Sequence, residues 1–150
     1  MSTTIRAIKE SDRDTVLSLM REFYSSSAVY TNGSDEIFTA DIEACISGSP
    51  YIEGYVFENN KTVQGYAMLA KSFSTEFGRQ CVWIEDVFIK PEHRGKGIGK
   101  QLLLFVGQKY PEAVIRLEVE KENEPAVELY KKSGFEFLPY EQMIRLPDKN

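Results

Sequence analysis

The succession of apolar periods along the chain predicts an α/β (α+β) fold, a mixed and mostly antiparallel sheet flanked by helices. Three observations carry this: β-rich runs follow one another between residues 51 and 90, a helical stripe follows Pro91, and a strand and a helix alternate from Val114 onward. Residues 5–8 read as a short strand. Ser11 then offers its hydroxyl as an N-cap to a helix whose Val16, Leu17, Met20, Phe23 and Tyr24 recur at helical spacing. Residues 25–34, serine-rich and without an apolar period, form a loop before a second helix marked by Phe38, Ile42, Cys45 and Ile46 and ended by Gly48 and Pro50. Residues 51–58 and 62–73 are strands joined by a turn at Asn59, Asn60 and Lys61, and residues 80–90 make a third, giving three antiparallel neighbours. Pro91 stops that strand, and Ile98, Leu102, Phe105 and Val106 mark a helix that closes before Pro111. Residues 114–119 then form a strand reached by a crossover, residues 123–133 a helix capped by Asn123 and ended by Gly134, and residues 135–146 one or two closing strands.

A chain of 150 residues forms one domain, spanning residues 1–150. With 42% hydrophobic and 27% charged residues it is neither disordered nor fibrous. No apolar run reaches the roughly 18 residues of a membrane helix, and the first ten residues lack the pattern of a secretory signal, so a cytoplasmic location is expected. Two cysteines and one histidine make a poor basis for metal chemistry, and no metal is expected. The net charge of −5 argues against a nucleic-acid partner. Its distribution is uneven: residues 1–60 hold four basic and ten acidic residues, whereas residues 90–100 hold four basic residues against Glu92 alone. The acidic half either meets a cationic partner or merely solvates two surface helices.

Arg94-Gly95-Lys96-Gly97-Ile98-Gly99-Lys100 stands between a strand and a helix, where main-chain N–H groups and the helix dipole together create an anion site. Cations at a helix N-terminus are unfavourable unless a multiply charged anion joins them, so Arg94, Lys96 and Lys100 point to a phosphate-bearing ligand; a solvated surface turn is the alternative. The glycines fit neither the dinucleotide spacing GxGxxG nor the Walker pattern.

Those residues resemble the [QR]xxGx[GA] loop of the GCN5-related N-acetyltransferase (GNAT) family. The likeness extends to residues 83–89 as the family's central strand and to residues 123–135 as its N-x₆-Y segment, and it is closest in the motif region to spermidine/spermine (diamine) N-acetyltransferases. It implies acetyl-CoA as co-substrate. Val87, Phe88 and Ile89 would pair with the pantetheine arm, Arg94, Gly95, Lys96, Gly97, Ile98, Gly99 and Lys100 would hold the pyrophosphate, and Asn123 and Ala126 would touch the coenzyme further along. The resemblance also allows a homodimer.

Glu85 and Asp86 interrupt an otherwise apolar run, and an unpaired carboxylate inside a sheet is costly. Plain alternation puts Glu85 on one face with Trp83, Val87 and Ile89, and Asp86 on the other. The resemblance favours Glu85 as the base that deprotonates the amine, with Asp86 as the alternative, and Tyr130 as the acid that protonates the leaving thiolate. Cys45 and Cys81 lack a neighbouring base for a covalent route, and His93 reads as a surface residue. The acceptor expected from the acidic half and from Tyr24, Tyr30 and Phe38 is a small cationic amine: a polyamine, a diamine or a lysine-like compound. The alternatives are an enzyme acting on protein N-termini or lysines, and a CoA-binding module without turnover.

Overall fold

Residues 2–148 are described by the structure, a computed structural model, and they open with the edge strand β1 (Thr4–Ala7). A 3₁₀ turn over Glu10–Asp12 leads into α1 (Arg13–Tyr24), and after a loop Ser34 caps α2 (Asp35–Ile46) by accepting the Ile37 N–H. Ser11 does not act as the expected cap. Asp12 holds this corner: its Oδ2 accepts the Lys9 N–H at 2.8 Å, and its two oxygens accept the guanidinium of Arg6 at 2.8 and 3.0 Å. A carboxylate that can take both the turn amide and a half-buried cation displaces a neutral hydroxyl from that role.

Strand β2 (Ile52–Asn59) folds back into β3 (Thr62–Ser74) through Asn60 and Lys61, whose φ values of 52° and 67° are the left-handed pair that matches the twist of a two-residue hairpin. β3 pairs with β4 (Arg79–Ile89). A second 3₁₀ turn over Pro91–His93 and the glycine-rich stretch then enter α3 (Ile98–Lys109). The crossover ends in β5 (Val114–Leu117), which lies parallel to β4 and precedes α4 (Glu124–Lys132). The sheet order is β1-β2-β3-β4-β5, antiparallel except for its last pair, and so the mixed, mostly antiparallel sheet that the sequence predicts.

The two faces of this sheet carry separate cores. Val16, Leu19, Met20 and Phe23 of α1 and Phe38 and Ile42 of α2 pack against Val56, Tyr66, Met68 and Phe88 on one face. Ile98, Leu102 and Val106 of α3 cover Phe57, Leu69, Val82 and Ile84 on the other. Each of these buried side chains contributes about 1.5–3 kcal/mol on leaving water, which is why the helical stripes legible in sequence are also the contact faces.

The closing strands expected over residues 135–146 are absent. Past the Phe135 N–H, which donates to the Tyr130 carbonyl at 3.0 Å, residues 136–148 make no main-chain hydrogen bond among the described residues. They do not pair with β5, whose outer edge has no partner strand among the described residues. Asn123 occupies the position before α4 as expected, but its side chain makes no capping bond.

Candidate active site

From Ser74 opposite Arg79 the β3–β4 ladder runs to Leu69 opposite Ile84 and resumes at Met68 opposite Asp86, so Glu85 is an extra residue on β4. This bulge inverts the phase of the strand. Val82 and Ile84 share the α3 face; beyond the bulge that face carries Val87 and Ile89, while Phe88 packs with α1 and α2 and Asp86 bonds tyrosines of the same core. The alternation expected from sequence, with Glu85 beside Val87 and Ile89, is thereby corrected. β5 follows β4 only from Cys81 to Ile84, so the edge of β4 from Glu85 to Ile89 faces no strand and leaves main-chain groups open to a ligand.

That open edge leads directly to the glycine turn. Gly95 and Gly97 have φ of +75° and +84°, and a Cβ at either would meet nothing within 4 Å, so glycine is required there for backbone conformation and not for space. Gly97 stands before α3 without a side-chain cap, and the first amides of the helix, at Ile98, Gly99 and Lys100, have no intrahelical acceptor. At Gly99 the reason differs: a Cβ would lie 3.0 Å from Leu129 Cδ2, so the residue lets α4 approach α3. Lys96 and Lys100 are exposed beside these amides. Arg94 folds back, its Nε donating to the Ile89 carbonyl at 2.8 Å and its guanidinium lying over the Phe88 ring, and so ties the turn to the strand end. Open amides with flanking cations fit the diphosphate of a coenzyme.

Three carboxyl groups gather beside the bulge. Asp86 is buried, and each of its oxygens accepts a phenol: Oδ1 from Tyr24 at 3.0 Å and Oδ2 from Tyr66 at 2.8 Å. Burial raises its pKa, the two phenols pulling in the other direction. Asp41 on α2 is half-buried, and desolvation followed by the Asp86 charge pushes it up to about 6. Glu85 belongs to the exposed residues, yet protein crowds its carboxyl; desolvation first, then the Asp86 and Glu118 charges, raise its pKa. Among the described residues no Lys or Arg forms an ion pair with any of the three. Tyr24 packs against Phe38 with ring centroids 5.0 Å apart, whereas Tyr30 points into solvent and takes no part.

Tyr130, half-buried on α4 with its pKa raised by burial, lines a cleft of about 800 Å³ together with Trp83, Glu118 and Val127. Asn123 immediately precedes α4 and Ala126 lies in its first turn, at the end nearest the β5–α4 connection. Glu85 is not among the residues that line this cleft; the two groups expected as base and acid are linked through Glu118, whose charge raises the Glu85 pKa and which lines the cleft beside Tyr130. Cys45 is an unsuitable nucleophile: burial and the charges of Asp41, Asp86 and Glu53 push its thiol up to about 12. His93 is half-buried, its Nδ1 3.3 Å from the amide nitrogen of buried Gln64. Asp41 and Tyr66 escaped the sequence reading because one sits on a helix with other acids and the other in an apolar strand; only their convergence on Asp86 distinguishes them.

Most of the acidic excess of the first sixty residues is spent on ion pairs. Asp12 and Glu58 share Arg6, Glu10 and Glu43 share Arg13, Asp35 takes Arg21, and Glu53 takes Lys71 and Lys109. Asp41 is one of the few left near the bulge.

The model of the Acetyltransferase (GNAT) family matches residues 14–135. A thialysine N-epsilon-acetyltransferase of Bos taurus is 31% identical over 148 residues, covering 89% of this chain and 84% of that protein. A spermine/spermidine N(1)-acetyltransferase of Bacillus subtilis (strain 168) is 27% identical over 143 residues, covering 91% of this chain and 90% of that protein. The solved structure of AAC(6')-Iy, in complex with a bisubstrate analogue built on CoA, superposes with a TM-score of 0.79 at 16% identity over 99% of this chain and 100% of that one, a likeness of fold.

Proposed function

Because the chain belongs to the GNAT acetyltransferase family and is therefore an N-acetyltransferase, we propose that it moves the acetyl group of acetyl-CoA to the amine of a small, multiply cationic acceptor such as a diamine, a polyamine or a lysine-like compound. The observation that carries the acceptor class is the group Asp41, Glu85 and Asp86, which share one neighbourhood without a counter-cation among the described residues. A ligand ammonium supplies the missing charge, and the Tyr24 ring adds an aromatic face. The thialysine and spermine/spermidine acetyltransferases it is similar to are named for cationic amines, which supports the same reading.

Acetyl-CoA supplies an activated thioester; everything else is asked of this chain. The amides at the start of α3, with Gly95, Lys96, Gly97 and Lys100 around them, hold the diphosphate, and the free edge at Val87, Phe88 and Ile89 aligns the pantetheine arm. Asn123 and Ala126 flank the coenzyme from α4. Glu85 takes the proton of the ammonium, directly or through a water. It is better placed for this than Asp86, whose oxygens already accept two phenols, and its raised pKa brings its basicity closer to neutral conditions. A main-chain amide near Val87 opposes negative charge on the acyl oxygen. Tyr130 stays protonated across neutral pH because burial raises its pKa, and it gives its proton to the departing sulfur. We place these roles in one domain spanning residues 1–150, acting in the cytoplasm.

Calorimetry with acetyl-CoA, followed by initial rates on a panel of amines, tests the proposal. The expected result is micromolar coenzyme binding and a kcat/KM at least ten-fold higher for spermidine or a short diamine than for an anionic amino acid. Equal turnover of cationic and anionic acceptors overturns the acceptor class.

A further inference from the structure

An amide side chain buried in a strand needs partners for both of its ends, and Gln64 on β3, 4% exposed, finds them on elements distant in sequence. Its Oε1 accepts the Thr3 hydroxyl at 2.6 Å, just ahead of β1. With the oxygen so occupied, Nε2 is left to donate across 3.3 Å to Nδ1 of His93, in the 3₁₀ turn that follows β4. The main chain adds a third tie, because the Gln64 carbonyl accepts the Lys90 N–H at 2.9 Å, one residue beyond the end of β4. From the other side Gln101, in the first turn of α3, donates its Nε2 to the Thr3 carbonyl at 2.6 Å.

These bonds stand at the two ends of the glycine turn. Residues 94–97 join His93 to the start of α3, and a Cβ at Gly95 or Gly97 would meet nothing within 4 Å, so the middle of the turn draws its position from its ends. One end is held by His93 to Gln64 and by the Arg94 Nε to the Ile89 carbonyl. The other is held by Gln101 to Thr3. Thr3 closes the circuit: its hydroxyl serves the first end, through Gln64, and its carbonyl the second. A turn fixed in this way before its ligand arrives spares the ordering cost that a loose turn of glycines pays on binding.

We propose that Gln64 is a positioning residue for the coenzyme diphosphate, acting through His93 and Thr3 to hold the open amides at the start of α3 in their binding arrangement. The proposal rests on the reading that this turn holds the diphosphate. Gln64 touches no part of the coenzyme itself. It also gives a reason for an amide in a strand that is otherwise apolar at Val63, Tyr66, Met68 and Leu69: a leucine would fill the space, but it could bind neither the imidazole nor the hydroxyl.

Calorimetry and initial rates on the full chain provide the test. Gln64→Leu is expected to raise the Kd of acetyl-CoA about 10-fold without changing the amine KM. S-acetylpantetheine carries the same thioester and arm but no diphosphate, so its kcat/KM separates positioning from general damage and should fall by no more than about 2-fold. A second pair of variants decides the matter if Gln64→Leu does not fold. His93→Leu should weaken acetyl-CoA about 10-fold, whereas His93→Asn, whose amide oxygen stands as many bonds from the main chain as Nδ1 does, should restore most of the affinity. An unchanged Kd in both leucine variants overturns the proposal, as do equal losses with the two acetyl donors or a His93→Asn protein as weak as His93→Leu. The joint substitution Lys96→Glu and Lys100→Glu examines the underlying reading separately. Unchanged acetyl-CoA affinity there removes the diphosphate from the turn; weakened affinity there with full affinity in Gln64→Leu overturns the positioning role alone.

Discussion

Two groups of carboxylates in this molecule meet opposite surroundings. At the corner of β1, Asp12 and Glu58 grip one guanidinium: Arg6 donates to Asp12 at 2.8 and 3.0 Å and to Glu58 at 3.2 and 3.0 Å, and hydrogen bonds to that cation hold both carboxyls below their ordinary range. At the β4 bulge, Asp41, Glu85 and Asp86 have phenols and one another for company, and all three are raised, chiefly by desolvation. The first group is complete as it stands and holds the fold. The second pays a standing electrostatic penalty that a bound ammonium relieves, and this difference separates a structural acid cluster from a functional one in a chain where both lie among ordinary surface acids.

The comparison is broken most severely at Glu85. Glu85→Gln is expected to lower kcat about 10²–10³-fold while leaving coenzyme affinity by calorimetry within a factor of two. In the wild type, kcat/KM should fall on the acid side as Glu85 becomes protonated at a pH above the usual glutamate range, and the variant should lose that limb. An unchanged kcat removes Glu85 as the base.

Next in size is Arg6→Ala, which strands the buried Asp12. Urea unfolding at pH 7 should show a loss of about 1–3 kcal/mol with kcat nearly unaffected. Because the folded pKa values of Asp12 and Glu58 are lowered, their stabilisation is present above the ordinary carboxyl range and disappears as pH falls through those lowered values; the variant should be the less acid-sensitive protein. A large fall in kcat on this substitution would erase the distinction between the two clusters.

Tyr130→Phe should lower kcat roughly 10-fold, with little change in the amine KM, in stopped-time assays at saturating coenzyme. The smallest effect belongs to Asp41→Asn. With the folded pKa at about 6, above the unfolded value, the wild-type fold loses stability as pH rises from about 4 through 6, so the variant should gain in Tm at pH 8 and show little gain at pH 4. The KM for a diamine should rise several-fold in the same variant, and that for a neutral monoamine should not. A gain in Tm equal at both pH values would show that Asp41 carries no standing penalty.

Much of the fold is legible from residue order. The helical stripes at Val16–Met20–Phe23 and Ile98–Leu102–Val106 became the two packing faces, and Pro91 and Gly97 fell where β4 stops and α3 starts. The glycine turn was legible as an anion site because its left-handed residues and open amides are local properties. The facing of Glu85 and Asp86 was not, since one inserted residue in β4 reverses the alternation of all that follows, and only pairing with β3 reveals the insertion. The tail over residues 135–146 reads as closing strands in sequence, yet it pairs with no strand among the described residues although β5 has a free edge, because strand formation rests on long-range pairing that no local pattern supplies.

By itself, then, the amino-acid order determined the elements, their succession and the chemistry available at the turn and on α4, because period, backbone freedom and charge are carried by near neighbours. Tertiary structure alone decided which acids received a cation and which were left to wait for one. Desolvation and pairing are created by residues distant in sequence, such as Tyr24, Asp41 and Asp86, whose meeting no local pattern announces.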